Sequence, residues 1–360
     1  MITPRSEPGS ADPAARGAVL RAAALRIADE VLFPAAADVD RTGVVPASHW
    51  QALSEAGLYG IAAPAEAGGP GLDFAEVTEI LEVLLSGCLA TAFTWLQHHG
   101  VVISLARSAN THLRDELLGA TVRGELRAGV AYAGVVPTPP RMRASREDGR
   151  WVLSGDAPFV SGWGVVDLLQ ISARDTDTDD VVSAVLPMPE LVDPRGNIRV
   201  TPIDLSAASG TSTVSLHIDE LPVSDAQVVS RVGLADFFAG QNVGIRLNGT
   251  LPLGLVRRCT AVLDTTGHSR EARRLRERAD VARLALDDAL PDAAALLAAR
   301  ADAAGLALDA AAALVAASGG RALVRGADSE RLFREASFVL VAASRPELKD
   351  ALLQRFSDSR

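Results

Sequence analysis

Gly155-Asp156-Ala157-Pro158-Phe159-Val160-Ser161-Gly162-Trp163-Gly164-Val165-Val166-Asp167 reads as a strand, a tight glycine-rich turn and the entry to a second buried strand, Asp167 to Ala173. Side chains two apart in an extended segment share a face, so Phe159 and Ser161 are predicted to project together. A ring beside a hydroxyl suits a flat heteroaromatic ligand: the ring packs on its face and the hydroxyl bonds its edge. A core strand followed by a turn is the other reading of the same residues.

Away from this segment the chain changes character twice. From Ala14 to Ala120 apolar residues recur at helical spacing. Ala18 to Phe33 is predicted as one helix ended by Pro34, and Ser48 to Ala56 as another opened by a Ser48-x-x-Gln51 capping box. Asp73 to Ser86, Ala90 to Arg107 and Thr111 to Gly119 follow. From Arg127 to about Gln227 short extended runs take over, including Arg150 to Ser154, Val181 to Leu186, Asn197 to Thr201 and Thr211 to Ile218. Asp148-Gly149 is a hairpin signal between two of them. Helical patterning then returns over Leu234 to Asp264, Asp287 to Ala317, Asp328 to Ala343 and Glu347 to Phe356, rich in alanine. The mixed charges of Arg270 to Arg283 read as a solvated helix face or a loop. The expected fold class is α+β: a tail at 1–12, an N-terminal helical domain at 13–126, a β-barrel at 127–227 and a C-terminal helical bundle at 228–360.

The net charge is −10, from 35 basic and 45 acidic residues, which disfavours nucleic acid as a partner. Two cysteines, Cys88 and Cys259, make no disulfide framework and suggest a reducing compartment, so the expected location is cytoplasmic. The start, Met1 to Asp12, has no apolar core of a signal peptide and reads as a frayed tail. The nearest approach to a membrane span, Ala293 to Ala317, is interrupted by Arg300, Asp302 and Asp309, so no membrane partner is expected. No metal site is expected either, since His98 and His99 are adjacent and point about 100° apart on a helix. Nothing matches a phosphate-binding or dinucleotide loop.

The order of motifs resembles the acyl-CoA dehydrogenase superfamily. Phe159-Val160-Ser161 is similar to its flavin-contacting strand. Ala63-Pro64-Ala65-Glu66-Ala67-Gly68-Gly69-Pro70-Gly71 is similar to its Pro-Glu-x-x-Gly-Gly-x-Gly loop. Ser318-Gly319-Gly320-Arg321 looks like its Gly-Gly turn, and Arg331-Leu332-Phe333-Arg334-Glu335-Ala336 like its Arg-x-Tyr-Arg-Asp-Ala helix. The resemblance implies a central barrel between helical domains, a homodimer or homotetramer, and a flavin-dependent oxidoreductase acting on an acyl thioester such as an acyl-CoA. The implied cofactor is FAD, with reduced FMN as the alternative. A flavin reductase or an electron-transfer flavoprotein is the implied redox partner. Phe159, Val160 and Ser161 would face the flavin ring, the backbone of Ala131-Tyr132-Ala133 its pyrimidine side, and Gly319-Gly320 of a neighbouring subunit its adenosine end.

The chain departs from that pattern in several places. Ala133 lacks the hydroxyl the family carries there, and Asp264 to Arg270 replaces its Arg-x-x-Phe-Gly motif. Of the two positions where the family places its carboxylate base, one is Ala343 and the other Gly244. Removal of an α-proton needs such a base within hydrogen-bond reach. Flavin monooxygenases of the same fold resemble the chain differently, pairing a helix histidine with the strand serine. His98 or His99 with Ser161 reproduces that pair and gives the second reading, oxygenation of a small metabolite by reduced flavin. A flavin-free, non-catalytic relative is the third.

Overall fold

The computed structural model describes residues 13–192, 196–342 and 345–358. Both the expected tail at 1–12 and Ala343 lie outside them.

The N-terminal helices are α1 (Pro13–Arg26), α2 (Phe33–Thr42), α3 (Ala47–Glu55), α4 (Phe74–Leu85), α5 (Leu89–Arg107) and α6 (Thr111–Val122). Pro34 does not end the first helix. A π-helical turn over Ile27–Leu32 lengthens the hydrogen-bond register just before it, and Pro34 sits in the first turn of α2, where a missing N–H costs nothing. The predicted box at Ser48 is also corrected. Pro46 is the N-cap of α3, Ser48 lies inside the helix, and the Gln51 amide bonds Glu55 instead. The reciprocal box forms at Asp73 and Glu76, opening α4. Apolar nearly all round, α5 is buried on most of its surface, as a central helix should be.

Eight strands follow: β1 (Ala128–Ala131), β2 (Met142–Glu147), β3 (Arg150–Val160), β4 (Leu168–Asp175), β5 (Val181–Pro187), β6 (Ile198–Pro202), β7 (Val214–Val223) and β8 (Val228–Val232), with the short helix α7 (Met188–Leu191) after β5. Their order is β6-β7-β3-β2-β4-β5-β8, and β1 adds parallel to β4. The other ladders are antiparallel except a two-residue parallel pairing of β2 with β4. The sheet runs on to Val232, beyond Gln227. Asp148 and Gly149, at φ 46° and 80°, close the β2–β3 hairpin in the two-residue, positive-φ turn that Asp-Gly favours.

The C-terminal helices are α8 (Leu234–Ala239), α9 (Gln241–Asn248), α10 (Thr250–Thr265), α11 (Ser269–Asp288), α12 (Ala293–Ser318), α13 (Asp328–Val341) and α14 (Pro346–Asp358). The single helix expected over Leu234 to Asp264 is broken at Gly240 and Gly249, where glycine weakens the helix. Arg270 to Arg283 is helical throughout, and Arg283 reaches Glu82 of α4 at 2.7 Å. By length and composition, α12 with the turn after it could cross a bilayer; in this fold it packs on α10, α11, α13 and α14. One hydrophobic cluster runs from Ile27 and Leu81 through Trp95 to Leu255, Leu306 and Val339, so the N- and C-terminal helices share a core. The sheet has its own core around Leu153, Ile171 and Leu216. A third cluster, with Val101, Leu105, Leu168 and Val229, seats α5 and α6 on the sheet.

Candidate active site

Phe159 and Ser161 do not share a face. The register of β3 against β7 slips between Ala157 and Val160, and Phe159 takes φ 55° in that bulge. The extra residue reverses the alternation, leaving Phe159 66% exposed while Ser161 is buried. The Ser161 hydroxyl lies 2.7 Å from that of Thr213, which lies 2.7 Å from that of Thr211. When the protons run from Thr211 through Thr213, Ser161 accepts one bond and keeps its own proton for an acceptor outside the chain. Gly162 follows at φ 85°, and a Cβ there would come within 3.2 Å of the Thr94 methyl and 2.9 Å of Val166. The turn is therefore wedged directly against α5.

Neither histidine is hydrogen-bonded to that hydroxyl. His98 Nε2 faces the Thr121 carbonyl at 3.1 Å, and its Nδ1 accepts the Ala128 amide at 3.1 Å. Those partners fix a neutral imidazole with its proton on Nε2, tying α5 to the end of α6 and the start of β1. Burial pushes its pKa down to about 4. His99 is fully buried, edge-on to Trp95 with ring centroids 4.4 Å apart, and neither ring nitrogen has a partner. Burial, then the neighbouring His98, holds it well below the usual imidazole range. Neither ring is an imidazolium near neutrality, and the hydrogen-bond partner of Ser161 is Thr213. No hydrogen bond joins Ser161 to His98 or His99.

Gly244 sits on α9 and lines a small cavity with Tyr132, Arg300, Ala342 and Arg345. The cavity lies between the end of β1 and helices α9, α12 and α14. Of the two positions where the family places a base, Gly244 lines this cavity, while Ala343 lies outside the described residues. Among the described residues, no aspartate or glutamate lines it. Burial raises the Tyr132 phenol, opposed by the nearby Arg345. Arg300 was legible only as an interruption of the alanine-rich run. The available signal was its spacing: it follows Leu296 and Leu297 by four and three positions, which puts it on the buried stripe of α12. A larger cleft of about 770 Å³ lies at the far side of the sheet, around Trp151, Arg146 and Arg231. Its arginines pair with Asp225 and Asp175, and the chemistry named above is elsewhere.

Residues 17–125 match the family model for the acyl-CoA dehydrogenase N-terminal domain. A 3-sulfinopropanoyl-CoA desulfinase of Paraburkholderia xenovorans is 28% identical over 43% of this chain and 41% of its own length. A mitochondrial isovaleryl-CoA dehydrogenase of Pongo abelii is 24% identical over 70% of this chain and 62% of its own. A glutaryl-CoA dehydrogenase of Mycobacterium smegmatis, solved in complex with FADH2, superposes with a TM-score of 0.80 at 13% identity, covering 95% of this chain and 94% of that one. Residues 17–125 form an acyl-CoA dehydrogenase N-terminal domain, and the whole chain has the acyl-CoA dehydrogenase fold. The aligned segments span less than two thirds of the two curated relatives.

Acyl-CoA dehydrogenases are FAD-dependent, and the residues at the ring end of this chain fit that group. An aromatic held exposed at a left-handed φ lies next to Val160 and two positions from the hydroxyl of Ser161. Beside β4, β1 ends at Ala131, and Tyr132 and Ala133 turn away into a 3-10 segment, a change of direction that frees main-chain groups from the ladder. Gly319 ends α12 at φ 56°, and a Cβ at Gly319 or Gly320 would meet nothing within 4 Å. That turn is open, as a surface receiving another molecule would be. In this chain the Arg331 to Ala336 motif is structural: Arg331 pairs with Glu335 and Asp328, and Arg334 with Asp40 and Glu330.

Proposed function

We propose that the chain is a flavin-dependent oxidoreductase that takes FAD and acts on an acyl thioester. The observation that carries this reading is the bulge at Phe159, which offers a ring at the end of a strand and a directed hydroxyl behind it. Phe159 packs on the isoalloxazine, and Ser161, oriented by Thr213 and Thr211, donates to its edge. The backbone from Ala131 to Ala133 holds the other rim, and Gly319-Gly320 leaves room for the adenosine end of a second copy's cofactor. Bound flavin would supply a hydride acceptor. The chain's own contribution is to bind and orient, because the cavity at Gly244 holds no carboxylate to take an α-proton. Simple α,β-desaturation is therefore not supported, and the oxygenase reading is weakened because both histidines are neutral and neither bonds Ser161.

The test is the flavin absorption of purified protein, before and after adding FAD, FMN and reduced FMN, followed by anaerobic titration with acyl-CoA. Bleaching of bound FAD supports the reading. Absence of any flavin uptake would leave the non-catalytic alternative. Homo-oligomerisation belongs to the same proposal. The alanine face of α12 is largely buried within the chain, whereas Val281, Leu284, Leu323 and Val324 are exposed. Sedimentation at micromolar concentration should give a dimer or larger, and a monomer would refute it.

A further inference from the structure

Arg300 is a fully buried cation with no acidic partner among the described residues. Its Nη2 donates to the Val339 carbonyl at 2.8 Å, while Nε and Nη1 meet no acceptor. Burial pushes its pKa down to about 10, so it stays charged at neutral pH. An interior guanidinium left unmatched is strongly unfavourable, and the usual resolution is a carboxylate on its fork. Here the described residues supply none. The cavity Arg300 lines adds a second arginine, Arg345, and the polar side chains of Tyr132, Gln241 and Asn248. Arg345 itself has Glu347 at 3.4 Å, so its charge is partly matched. The cavity is partly open, and its core of about 20 Å³ admits one water-sized group. At Gly244 the wall is bare: a Cβ there would meet only Gln241 Oε1, 3.8 Å away. An acid-free, doubly basic cavity is notable in a chain of net charge −10.

We propose that this cavity is a carboxylate-binding site whose charge comes from Arg300. A carboxylate can set one water-sized oxygen in the enclosed core against the guanidinium edge and keep the rest of its acid in the open mouth. The carboxylate is that of a small organic acid or of an acyl group that ends in one. The inference rests on the cavity's own side chains and stands whether or not the chain takes a flavin, so loss of flavin uptake would not touch it.

Thermal unfolding and calorimetry with succinate, succinyl-CoA, butyryl-CoA and sodium chloride test it. Saturating succinate or succinyl-CoA should raise the wild-type Tm by about 3 °C or more. Arg300→Met should melt higher than wild type without ligand, because the unmatched charge is gone, and should not respond to carboxylate. Should Arg300→Met fail to fold, Arg300→Gln should weaken the same binding at least about tenfold. Gly244→Asp, which brings a carboxylate from within the chain, should raise the Tm and abolish the response. A shift with succinate identifies a free acid; a shift with succinyl-CoA but with neither succinate nor butyryl-CoA identifies an acyl carboxylate. Equal shifts with chloride, an undiminished response in the Arg300 variants, or no response to either carboxylate would overturn the proposal.

Discussion

Phe159 holds a φ of 55°, a conformation that costs a bulky L-residue of the order of 1–3 kcal/mol. It is also exposed, so folding gains little from its ring. Strain at an exposed aromatic implies that the ring is kept for contact with something else. Glycine adopts the same φ freely but loses more chain entropy, roughly 0.5–1 kcal/mol. Phe159→Gly should therefore leave stability within about 1 kcal/mol of wild type while weakening flavin binding by about two- to tenfold, the worth of one aromatic contact. Urea midpoints and flavin titration measure the two effects, and a large stability loss with unchanged affinity would make Phe159 a structural residue. Ser161→Ala makes the complementary case. The Thr213 hydroxyl then keeps Thr211 as a partner, so stability should fall by only about 1 kcal/mol, with the main loss in flavin affinity.

Helix α13 fastens three parts of the chain together. Arg334 bonds Glu330 on its own helix, Asp40 at the end of α2 and the Ser206 carbonyl in the loop before β7. One turn earlier, Arg331 pairs with Glu335, and with Arg258 it flanks the Phe33 ring that opens α2. Arg334→Ala leaves Asp40 largely buried and uncompensated, which should cost about 2–4 kcal/mol in urea unfolding. Arg278→Ala removes the exposed pair with Asp309 and should cost under about 1 kcal/mol. Equal losses would mean that Arg334 is no clamp. Such contrasts also explain what the sequence could convey. Helices and strands whose period comes from burial on one face, such as Phe74–Leu85 and Val181–Pro187, were readable nearly to the residue. The Asp148-Gly149 hairpin was readable because its backbone needs those residue types. Pro34 misled because a π-turn upstream changed which N–H was needed, and Ser48 because Pro46 had already set the helix start. At the site, the bulge that separates Phe159 from Ser161 depends on pairing with β7, and the burial of a lone cation depends on three helices meeting. Neither is written in local spacing.

Seen entire, the molecule is built around α5, which carries polar groups into a core shared by both helical regions. Three histidines, His49, His98 and His99, are buried there or beside it, all with depressed pKa values, burial being the largest cause in each. In the folded chain they are neutral; unfolded, each binds a proton near pH 6.5. The unfolded state therefore takes up more protons on acidification, and stability rises with pH across that window. The stabilisation is fully present above about pH 6.5 and is lost as pH falls towards 4, the folded value for His98. For His98 alone the loss amounts to roughly 3 kcal/mol. Glu335 opposes this, since burial raises its pKa and favours the folded state at low pH, but it is one group against three. Urea midpoints measured from pH 8 to 4.5 should stay flat to about pH 6.5 and then fall steeply. His99→Leu isolates one contribution without breaking a hydrogen bond, because neither nitrogen of His99 has a partner. That variant should match or exceed wild type at pH 5 and lie within about 1 kcal/mol of it at pH 7.5. Its acid slope should be shallower by up to about 1.4 kcal/mol per pH unit, the weight of one proton. Parallel wild-type and variant slopes would show that His99 is already protonated in the folded chain, and that something not seen here stabilises its charge in the core.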